Sequence, residues 1–378
     1  MHILIINSEY PPIGGGASNA SAHLARTLVE LGHQVTVLTS RFAALPHDEV
    51  QQGVRIVRIP AIRRRQDRSG PLEQLSFMLL ACLSAVNQVR RSRPTVVLAF
   101  FGVPSGAVAL WLRILCGLPY IVSLRGGDVP GFRPYDFALY HRLIAPLLHI
   151  VWRRAAAVVA NSAGLRDLAL AFDRNVPIQV IPNGVDVAPF STTPRRWQPP
   201  RMLIVGRVVY QKGIDLLLHA LAGLKDLSWQ LSIAGDGPLR FQLAELASRL
   251  DLADRVKFLG WQEKSALVQH FDQANLFVYP SRHEGMPNAL LEAMAAGLPA
   301  IASQIAGSEE LVLPDQTGLL VPTEDSQALR VALRQLLPDA ARREHMGAAA
   351  RQRVEQYYSW HNVAQQYLAL FQTAVEVD

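Results

Sequence analysis

The sequence predicts an α/β protein with two doubly wound domains, and three observations support this fold class. Short apolar runs alternate with segments of helical spacing from residue 2 onward, which is typical of parallel sheets covered by helices. The alternation stops in the proline-rich residues 187–200 and then restarts, as expected for a linker between two domains. The length of 378 residues also fits two domains, since a domain has roughly 150 residues.

The first half begins with a strand, a turn-rich loop and a helix. The helix is indicated by Leu24, Leu28 and Leu31, which recur at helical spacing. Strands are predicted at residues 2–7, 34–39, 54–59, 95–100, 120–124, 157–160 and 179–181, and further helices at 72–91, 106–115 and 163–171. The first domain is therefore assigned to residues 1–186 and the linker to 187–200.

The second half repeats the alternation without repeating the sequence. Strands are predicted at residues 202–206, 230–234, 256–259, 276–279 and 298–302, and helices at 213–221, 239–250, 264–271 and 287–296. Ser359 can cap a last helix that carries Trp360, Val363, Tyr367, Leu370 and Phe371 on one face. The second domain is assigned to residues 201–356 and the last helix to 357–378.

Composition excludes several classes of protein. Half of the residues are hydrophobic and 18% are charged, which excludes wholesale disorder. Two cysteines, Cys82 and Cys116, cannot form a disulfide scaffold. The N-terminus lacks the basic region of a signal peptide. The apolar residues 75–86 are too few to span a bilayer, and Arg113 interrupts residues 102–124. We therefore expect a cytoplasmic protein.

Charge is distributed unevenly along the chain. Residues 1–190 hold 19 arginines against 11 acids, a net charge of +8, whereas residues 191–378 hold 18 basic and 20 acidic residues, a net charge of −2. Two clusters flank the apolar residues 72–89, namely Arg63, Arg64, Arg65 and Arg68, and Arg90, Arg91 and Arg93. Either this helix lies on an anionic membrane surface, or it packs on the first sheet beneath solvated arginines. The first interpretation places the protein peripherally on the inner face of the plasma membrane.

The loop Gly14-Gly15-Gly16 lies between the first strand and the first helix. Small residues such as Gly15 and Gly16 allow backbone N–H groups to approach a phosphate at a helix N-terminus. The alternative is a flexible loop without a ligand. The loop lacks the dinucleotide pattern, and the second strand ends in Thr39-Ser40-Arg41 without a ribose-binding acid. We therefore do not expect NAD as a ligand, and binding of NADP would depend on Arg41 alone.

Two basic residues border a loop in the second domain. Arg207 follows the first strand of that domain, and Lys212 precedes the next helix. Two cations five residues apart can clamp a diphosphate, the arginine by its planar fork and the lysine as a point charge. A pair of solvated surface cations is the alternative.

The stretch from Glu284 to Glu292 places one carboxylate in a loop and one inside a helix. The helix N-terminus near Asn288, Ala289 and Leu290 offers N–H donors to phosphate oxygens. The carboxylates would repel phosphate, so we expect them to accept hydrogen bonds from sugar and ribose hydroxyls. The alternative is that both are surface acids without a ligand.

In order and spacing, these motifs resemble retaining glycosyltransferases of the GT-B fold, specifically glycosyltransferase family 4, also called glycosyl transferases group 1. The resemblance covers essentially the whole chain. It rests on Gly14–Gly16, Ile181-Pro182-Asn183-Gly184-Val185-Asp186, Gly206-Arg207, Lys212-Gly213, Ala234-Gly235-Asp236-Gly237-Pro238, Pro280-Ser281, Glu284-Gly285 and Glu292-Ala293-Met294-Ala295-Ala296-Gly297-Leu298-Pro299. It implies two Rossmann-like domains facing across a cleft, with the last helix crossing back to the first domain.

The resemblance also implies roles for individual residues. Arg207 and Lys212 would hold the donor diphosphate, with Gly15 and Gly16 approaching the phosphate from the first domain. Glu292 would hold the ribose hydroxyls, and Glu284 would contact the donor sugar as a catalytic residue. The implied reaction moves a sugar from a nucleotide-diphosphate donor, expected to be a UDP-sugar, to a glycan or lipid-linked acceptor. It would proceed with retention, without a cofactor and without a metal.

One position departs from the family pattern. Many relatives have a histidine where Arg125 stands, after the strand that ends at Leu124. Arg125 and Asp128 are predicted as catalytic residues, with Arg125 steadying the diphosphate charge or binding an acidic acceptor. The alternative is a structural salt bridge between these two residues.

Two other classes of function remain open from the sequence. Glu284 and Glu292 could serve as the carboxylate pair of a glycosidase. A non-enzymatic nucleotide or nucleic-acid binder is the other class, but the basic residues of the first half lack interleaved aromatic residues for base stacking. We therefore expect no nucleic-acid partner.

Overall fold

The computed structural model describes residues 1–66, 69–132, 134–191 and 198–376. The chain divides into two compact units. The first contains Met1–Gly184 together with Trp360–Asp378, and the second contains Val185–Ser359. The boundary predicted after residue 186 falls beside this division.

The first unit is built on an eight-stranded sheet in the order β3-β4-β2-β1-β5-β6-β7-β8. Neighbouring strands are parallel except β3, which is antiparallel to β4. The strands are β1 (His2–Ile6), β2 (Gln34–Ser40), β3 (Asp48–Gln51), β4 (Val54–Ile59), β5 (Val96–Phe100), β6 (Tyr120–Leu124), β7 (Ala157–Ala160) and β8 (Ile178–Val180). The central strands are buried on both faces, as a parallel sheet between helices requires.

Helices cover both faces of this sheet. They are α1 (Gly16–Glu30), α2 (Pro71–Ser92), α3 (Ala107–Cys116), α4 (Pro134–Arg154), α5 (Ala163–Phe172) and the last helix of the chain, α13 (Trp360–Glu376). On one face, α2, α3, α4 and α5 contribute to one apolar core. On the other face, α1 and α13 contribute to a second core. The sheet therefore separates two cores.

The C-terminal helix α13 is part of the first unit. Its buried face contains Val363, Tyr367 and Phe371, as the helical spacing predicts. The Trp360 ring also stacks on the His23 imidazole of α1, with ring centroids 5.4 Å apart. The chain thus returns to its first unit after completing the second.

The second unit contains a six-stranded parallel sheet in the order β11-β10-β9-β12-β13-β14. Its strands are β9 (Arg201–Val205), β10 (Gln230–Ala234), β11 (Val256–Gly260), β12 (Leu276–Tyr279), β13 (Ala300–Ser303) and β14 (Gly318–Val321). Its helices are α6 (Ile214–Ala222), α7 (Arg240–Arg249), α8 (Lys264–Asp272), α9 (Asn288–Ala295), α10 (Ala306–Glu309), α11 (Ser326–Leu336) and α12 (Ala340–Tyr357). The predicted fold class, with two Rossmann-like sheets, is confirmed.

Both sheets contain a topological switch point. In the first unit the chain runs outward in opposite directions from β1 and β5, and in the second unit from β9 and β12. At such a point the loops after two neighbouring strands diverge, which leaves a crevice at their carboxyl ends. The loops after β1, β9 and β12 carry residues singled out in the sequence.

Several elements were not predicted from the sequence. The strand β3 is polar and lies at the edge of the sheet, so it lacks the apolar run of the central strands. The helix α4 contains Pro146, which obscures its helical pattern. Of the predicted linker 187–200, residues 192–197 lie outside the described residues. Val187 and Phe190 pack on the core of the second unit.

Candidate functional site

The loops that follow β9 and β12 lie against each other in the second unit. Gly213 has a φ of +61°, and a Cβ atom at this position would come within 2.0 Å of the Pro280 carbonyl oxygen. Only glycine allows so close a backbone approach. The loop that carries Arg207 and Lys212 is thereby held against the loop that carries Glu284.

The Arg207 side chain is exposed at the end of β9. Within the described ranges its guanidinium has neither a hydrogen bond nor an ion pair. A solvated arginine without a protein partner keeps all five N–H donors available for an incoming anion. Arg207 therefore lies where the sequence predicts a diphosphate ligand.

Lys212 is held from two sides. Its Nζ donates to Glu284 Oε1 at 2.6 Å and to the Tyr279 hydroxyl at 2.7 Å. The same Nζ lies 4.8 Å from the centroid of the Tyr279 ring. Burial, reinforced by the Glu284 charge, raises the pKa of Tyr279 well above its ordinary value, so this phenol stays protonated. These contacts fix the ammonium group close to the Glu284 carboxylate.

Arg282 joins the two loops and was missed by the sequence analysis. Its Nη1 and Nη2 donate to the two carboxylate oxygens of Asp215 at 3.0 and 2.8 Å. Its Nε donates to Glu324 at 2.7 Å, and its guanidinium stacks 3.7 Å from the centroid of the Tyr210 ring. Because every part of this guanidinium has a partner, Arg282 positions the loops rather than offering a ligand site.

The helix α9 begins at Asn288, close in sequence to Glu284. Its first turn therefore contains Asn288, Ala289 and Leu290, as predicted. The Leu290 N–H already donates to the Pro287 carbonyl oxygen at 3.0 Å. The prediction that Leu290 offers a free donor is therefore wrong, because the first turn closes on the residue that precedes the helix.

Glu292 lies one turn inside α9. Burial raises the pKa of its carboxyl to about 7, while the Lys264 charge acts in the opposite direction. Across the part of the chain that the structure describes, this carboxyl has no hydrogen bond or ion pair. A half-buried carboxyl without a partner is costly. Hydroxyl donors of a ligand would supply the missing hydrogen bonds.

In the first unit, the loop after β1 is anchored by Arg63. Its Nη2 donates to Glu9 Oε1 at 3.1 Å, and only 2% of the Arg63 side chain is exposed. The prediction that Arg63 joins a solvated surface cluster is therefore wrong, because Glu9 draws it inward. Arg64 and Arg65 are exposed, and Arg68 lies outside the described residues.

The predicted Gly14–Gly16 loop forms the start of α1. Gly14 has a φ of +93°, and a Cβ atom there would lie 2.7 Å from Glu9 Cβ. A Cβ atom at Gly15 would meet nothing within 4 Å. The space beside Gly15 is thus open at the switch point of the first sheet, as close approach of a phosphate requires.

Arg125 follows β6, and protein groups surround its side chain. Its Nη1 donates to Asn183 Oδ1 at 2.5 Å, its Nη2 lies 3.5 Å from the Tyr367 hydroxyl, and its guanidinium stacks on the Phe100 ring. Burial lowers the pKa of the Arg125 guanidinium from its ordinary value. Of these partners, Phe100 lies in β5, Asn183 lies just before residue 184, and Tyr367 lies in α13.

The alternative interpretation, a salt bridge between Arg125 and Asp128, is wrong. The Asp128 carboxylate instead accepts backbone N–H groups, from Arg125 at 3.0 Å and from Gly102 at 2.7 Å. Burial raises the pKa of Asp128, against these hydrogen bonds. Asp128 thus secures the backbone after β6.

The contacts that Tyr279, Arg282, Asn183 and Tyr367 make could not be predicted from the sequence. Each of these side chains contacts a residue far away in the chain, so no local pattern could reveal the contact. Within the described residues, no group of three or more His, Cys, Asp or Glu side chains could hold a metal ion.

Two Rossmann-like sheets, with an arginine and a lysine beside a helix N-terminus at one switch point, define a class of α/β enzymes that act on nucleotide-linked substrates. Comparison with known families gives the particular class. Residues 15–184 match the model of the Glycosyl transferase 4-like domain, and residues 192–353 match that of Glycosyl transferases group 1. The chain belongs to this family of GT-B glycosyltransferases, which use nucleotide-sugar donors. The glycosidase and non-enzymatic alternatives do not fit this assignment.

Curated relatives match along nearly the whole chain. The glycogen synthase of Mycobacterium tuberculosis is 29% identical, over 98% of this chain and 95% of the relative. The GDP-mannose-dependent alpha-(1-6)-phosphatidylinositol monomannoside mannosyltransferase of the same species is 26% identical, over 96% of each chain. These two relatives are thus named for different reactions.

Solved structures share the fold. Sucrose-phosphate synthase from Thermosynechococcus elongatus superposes with a TM-score of 0.86 at 23% identity, over 100% of both chains. Anabaena HepE in complex with UDP superposes with a TM-score of 0.78 at 20% identity, over 99% of this chain and 100% of that chain. The expected GT-B fold is confirmed.

Proposed function

We propose that the protein transfers a sugar from a nucleotide-diphosphate donor, a UDP-sugar, to a glycan or lipid-linked acceptor with retention of anomeric configuration. The observation that carries this proposal is the switch point of the second sheet. There Arg207, whose guanidinium has no partner among the described residues, and a fixed Lys212 border the loop that leads through Glu284 into α9.

The two cations are suited to a leaving diphosphate. When the bond between the sugar and the phosphate breaks, negative charge accumulates on the diphosphate oxygens. Arg207 can meet those oxygens with a planar fork and Lys212 with a point charge, so both stabilise charge that grows toward the transition state. Because this charge is met by side chains, we propose that the reaction needs no metal ion.

The two carboxylates are suited to neutral hydroxyls. Glu292 has no hydrogen-bond partner within the described part of the chain, and hydroxyl groups of the donor ribose would supply one. Glu284, held beside Lys212, would contact the donor sugar near the reacting carbon. In the retaining mechanism that the family resemblance implies, the leaving phosphate oxygen helps to remove the acceptor proton, and the protein contributes orientation and electrostatics.

A thermal-shift screen with UDP-, GDP- and ADP-sugars tests the donor assignment. A ligand that binds the folded state raises its stability by mass action. We expect the largest shift with UDP-sugars, in line with the neighbour that binds UDP, although one relative uses GDP-mannose. A larger shift with GDP-mannose than with any UDP-sugar would show that the donor carries guanine rather than uracil. No shift with any nucleotide sugar would contradict the proposal.

Product analysis tests the chemistry. Release of nucleoside diphosphate should depend on an acceptor, and proton NMR of the product should show the anomeric configuration of the donor. Activity should survive EDTA. Inverted product would exclude the retaining mechanism, and loss of activity in EDTA with rescue by Mn²⁺ would exclude metal independence.

A further inference from the structure

The helix α2 exposes a line of leucines. Leu72, Leu75, Leu79 and Leu83 are 73%, 46%, 57% and 71% exposed. Their spacing of three and four residues places them on one side of the helix. The opposite side packs on the sheet through buried residues such as Phe77. We call these four leucines the outward stripe of α2.

The extent of this exposure is unusual for a helix that covers a sheet. Within the described residues, α2 is the one helix that is long and apolar enough to cross a membrane by length and composition. Only 22% of its apolar window is buried inside the protein. Because α2 is also a packed layer of the first unit, its apolar surface lies along the protein surface.

Cations lie at both ends of the outward stripe. Beyond its C-terminal end, Arg90 follows Leu83 by seven residues and so lies on the same side of the helix, with exposed Arg91 next to it. At the N-terminal end, the exposed Arg64 is fixed by its backbone N–H, which donates to Glu73 Oε1 at 2.6 Å.

The helix α2 itself carries little negative charge. The sole acid of α2, Glu73, is occupied because it accepts N–H groups from Gly70 and Arg64. Residues 71–92 contain two arginines and this one acid. The side chains of Arg64, Arg65 and Arg90 have no ion pair among the residues that the structure describes, so they remain available to an external anion.

The helix α4 exposes leucines of its own. The Tyr140 hydroxyl of α4 donates to Gln74 Oε1 of α2 at 2.9 Å, which joins the two helices at this point. Leu139 and Leu143 are 73% and 72% exposed, and Arg142 between them is exposed as well. Both helices therefore present exposed leucines together with exposed arginines.

We infer that the outward stripe of α2 and its flanking arginines bind the surface of an anionic lipid bilayer. Leucines along one side of a surface helix enter the interfacial layer, and flanking arginines pair with lipid phosphates. A second copy of the chain fits less well, because an antiparallel pairing of two α2 helices would bring Arg64 and Arg65 against Arg90 and Arg91. The expected location, cytoplasmic and peripheral on the inner membrane face, is part of this inference.

Vesicle co-sedimentation of the full chain tests the inference. We expect binding to phosphatidylcholine vesicles that contain phosphatidylglycerol, weak binding to phosphatidylcholine alone, and release as salt is raised, since salt screens exposed charges. The double variant R90Q/R91Q should weaken binding by roughly fivefold per arginine, from about 1 kcal/mol each. The double variant L79Q/L83Q should weaken it at every salt concentration.

Matched controls come from the second unit. Phe241 is 87% exposed and Arg249 is exposed, so F241Q and R249Q remove an equally accessible apolar and basic side chain elsewhere. These controls should bind vesicles like the unaltered chain. Since all the altered side chains are exposed, the melting temperature of every variant should stay unchanged, which separates lost binding from lost folding.

Three results would overturn the inference. These are equal binding to both vesicle types, full binding by the α2 variants, and a dimer in sedimentation velocity that L79Q/L83Q dissociates without any vesicle binding. The inference goes beyond the proposed transfer reaction and does not depend on it. The thermal shift with nucleotide sugars tests the donor site separately. A negative result for vesicle binding therefore does not contradict the proposed transfer reaction, and a negative thermal shift does not contradict the membrane inference.

Discussion

Each sheet of the molecule presents an arginine after a strand, and the structure treats the two guanidinium groups in opposite ways. Arg207 follows β9, is exposed and has no partner within the described part of the chain. Arg125 follows β6 and is enclosed by Asn183, Tyr367 and the Phe100 ring. The place of an arginine after a strand therefore does not decide whether its guanidinium is open to a ligand or already bound within the protein.

The largest expected effect is the loss of a diphosphate contact. Arg207→Ala should lower kcat/KM for the donor by roughly tenfold to a hundredfold, because a charge-assisted hydrogen bond contributes about 1.5–3 kcal/mol. Its melting temperature should change little, since no protein group loses a partner. Lys212→Ala should lower kcat/KM by a similar factor, and it should also destabilise the protein by removing the ammonium group that Glu284 and Tyr279 share.

Steady-state kinetics with calorimetry of the free protein measures both quantities. Arg249→Ala is the matched control, because Arg249 is an exposed arginine on α7 of the same unit. Normal kinetics in both the Arg207 and the Lys212 variants would remove the diphosphate assignment.

A second effect separates Glu284 from its neighbours. Glu284→Gln keeps the size of the side chain but removes the charge beside the reacting sugar. We expect kcat to fall by at least about tenfold while KM for the donor changes little, as for an interaction made mainly in the transition state. The exposed Glu245→Gln on α7 controls for a change of net charge. A raised KM with an unchanged kcat would show instead that Glu284 contributes to binding of the donor in the ground state.

In the first unit, by contrast, we expect the loss of an arginine to lower the stability of the protein rather than its binding of the donor. Arg125→Met removes the guanidinium that donates to Asn183 at 2.5 Å, so the free energy of unfolding should fall by about 1–3 kcal/mol. Denaturant melts measure this loss, and Tyr367→Phe should give a smaller one. The nucleotide-sugar thermal shift should persist in both variants. A stable Arg125→Met protein with abolished turnover would support the predicted catalytic role.

The smallest expected effect concerns the pH dependence that Glu292 imposes. Its pKa is about 7 in the folded state against an ordinary 4.5, so the folded state holds this proton more tightly than the unfolded state. Stability without donor should therefore fall as pH rises from 4.5 toward 7 and level off above it. Glu292→Gln should remove this decline and raise stability at pH 8 by about 1–3 kcal/mol.

The same substitution should raise KM for the donor, because ribose contacts are present in the ground state. Melts across this pH range and donor titrations give the two measurements. Parallel pH profiles for both proteins would show that Glu292 is an ordinary solvated acid.

The sequence predicts most of the buried strands well, because apolar runs report burial on both faces of a parallel sheet. It predicts Arg207, Lys212, Glu284 and Glu292 as a group, because all four lie close to the end of a strand or the start of a helix. It does not predict β3, whose residues Asp48–Gln51 are polar and lie at the sheet edge.

Contacts between distant residues are beyond a local pattern. Arg282 binds Asp215 and Glu324, which lie 67 and 42 residues away in the chain. Arg63 is drawn inward by Glu9, at a separation of 54 residues. Only the folded chain shows that Arg282 anchors loops and that the Arg63 side chain is buried.

The most direct test of the diphosphate site is isothermal titration of the full chain with a nucleoside diphosphate and with its parent nucleoside. The nucleoside diphosphate for this titration is whichever of UDP, GDP and ADP gives the largest thermal shift. We expect Arg207→Ala to lose at least about tenfold in affinity for the diphosphate and none for the nucleoside, since one charge-assisted contact is removed. Unchanged diphosphate affinity, or an equal loss for both ligands, would contradict it.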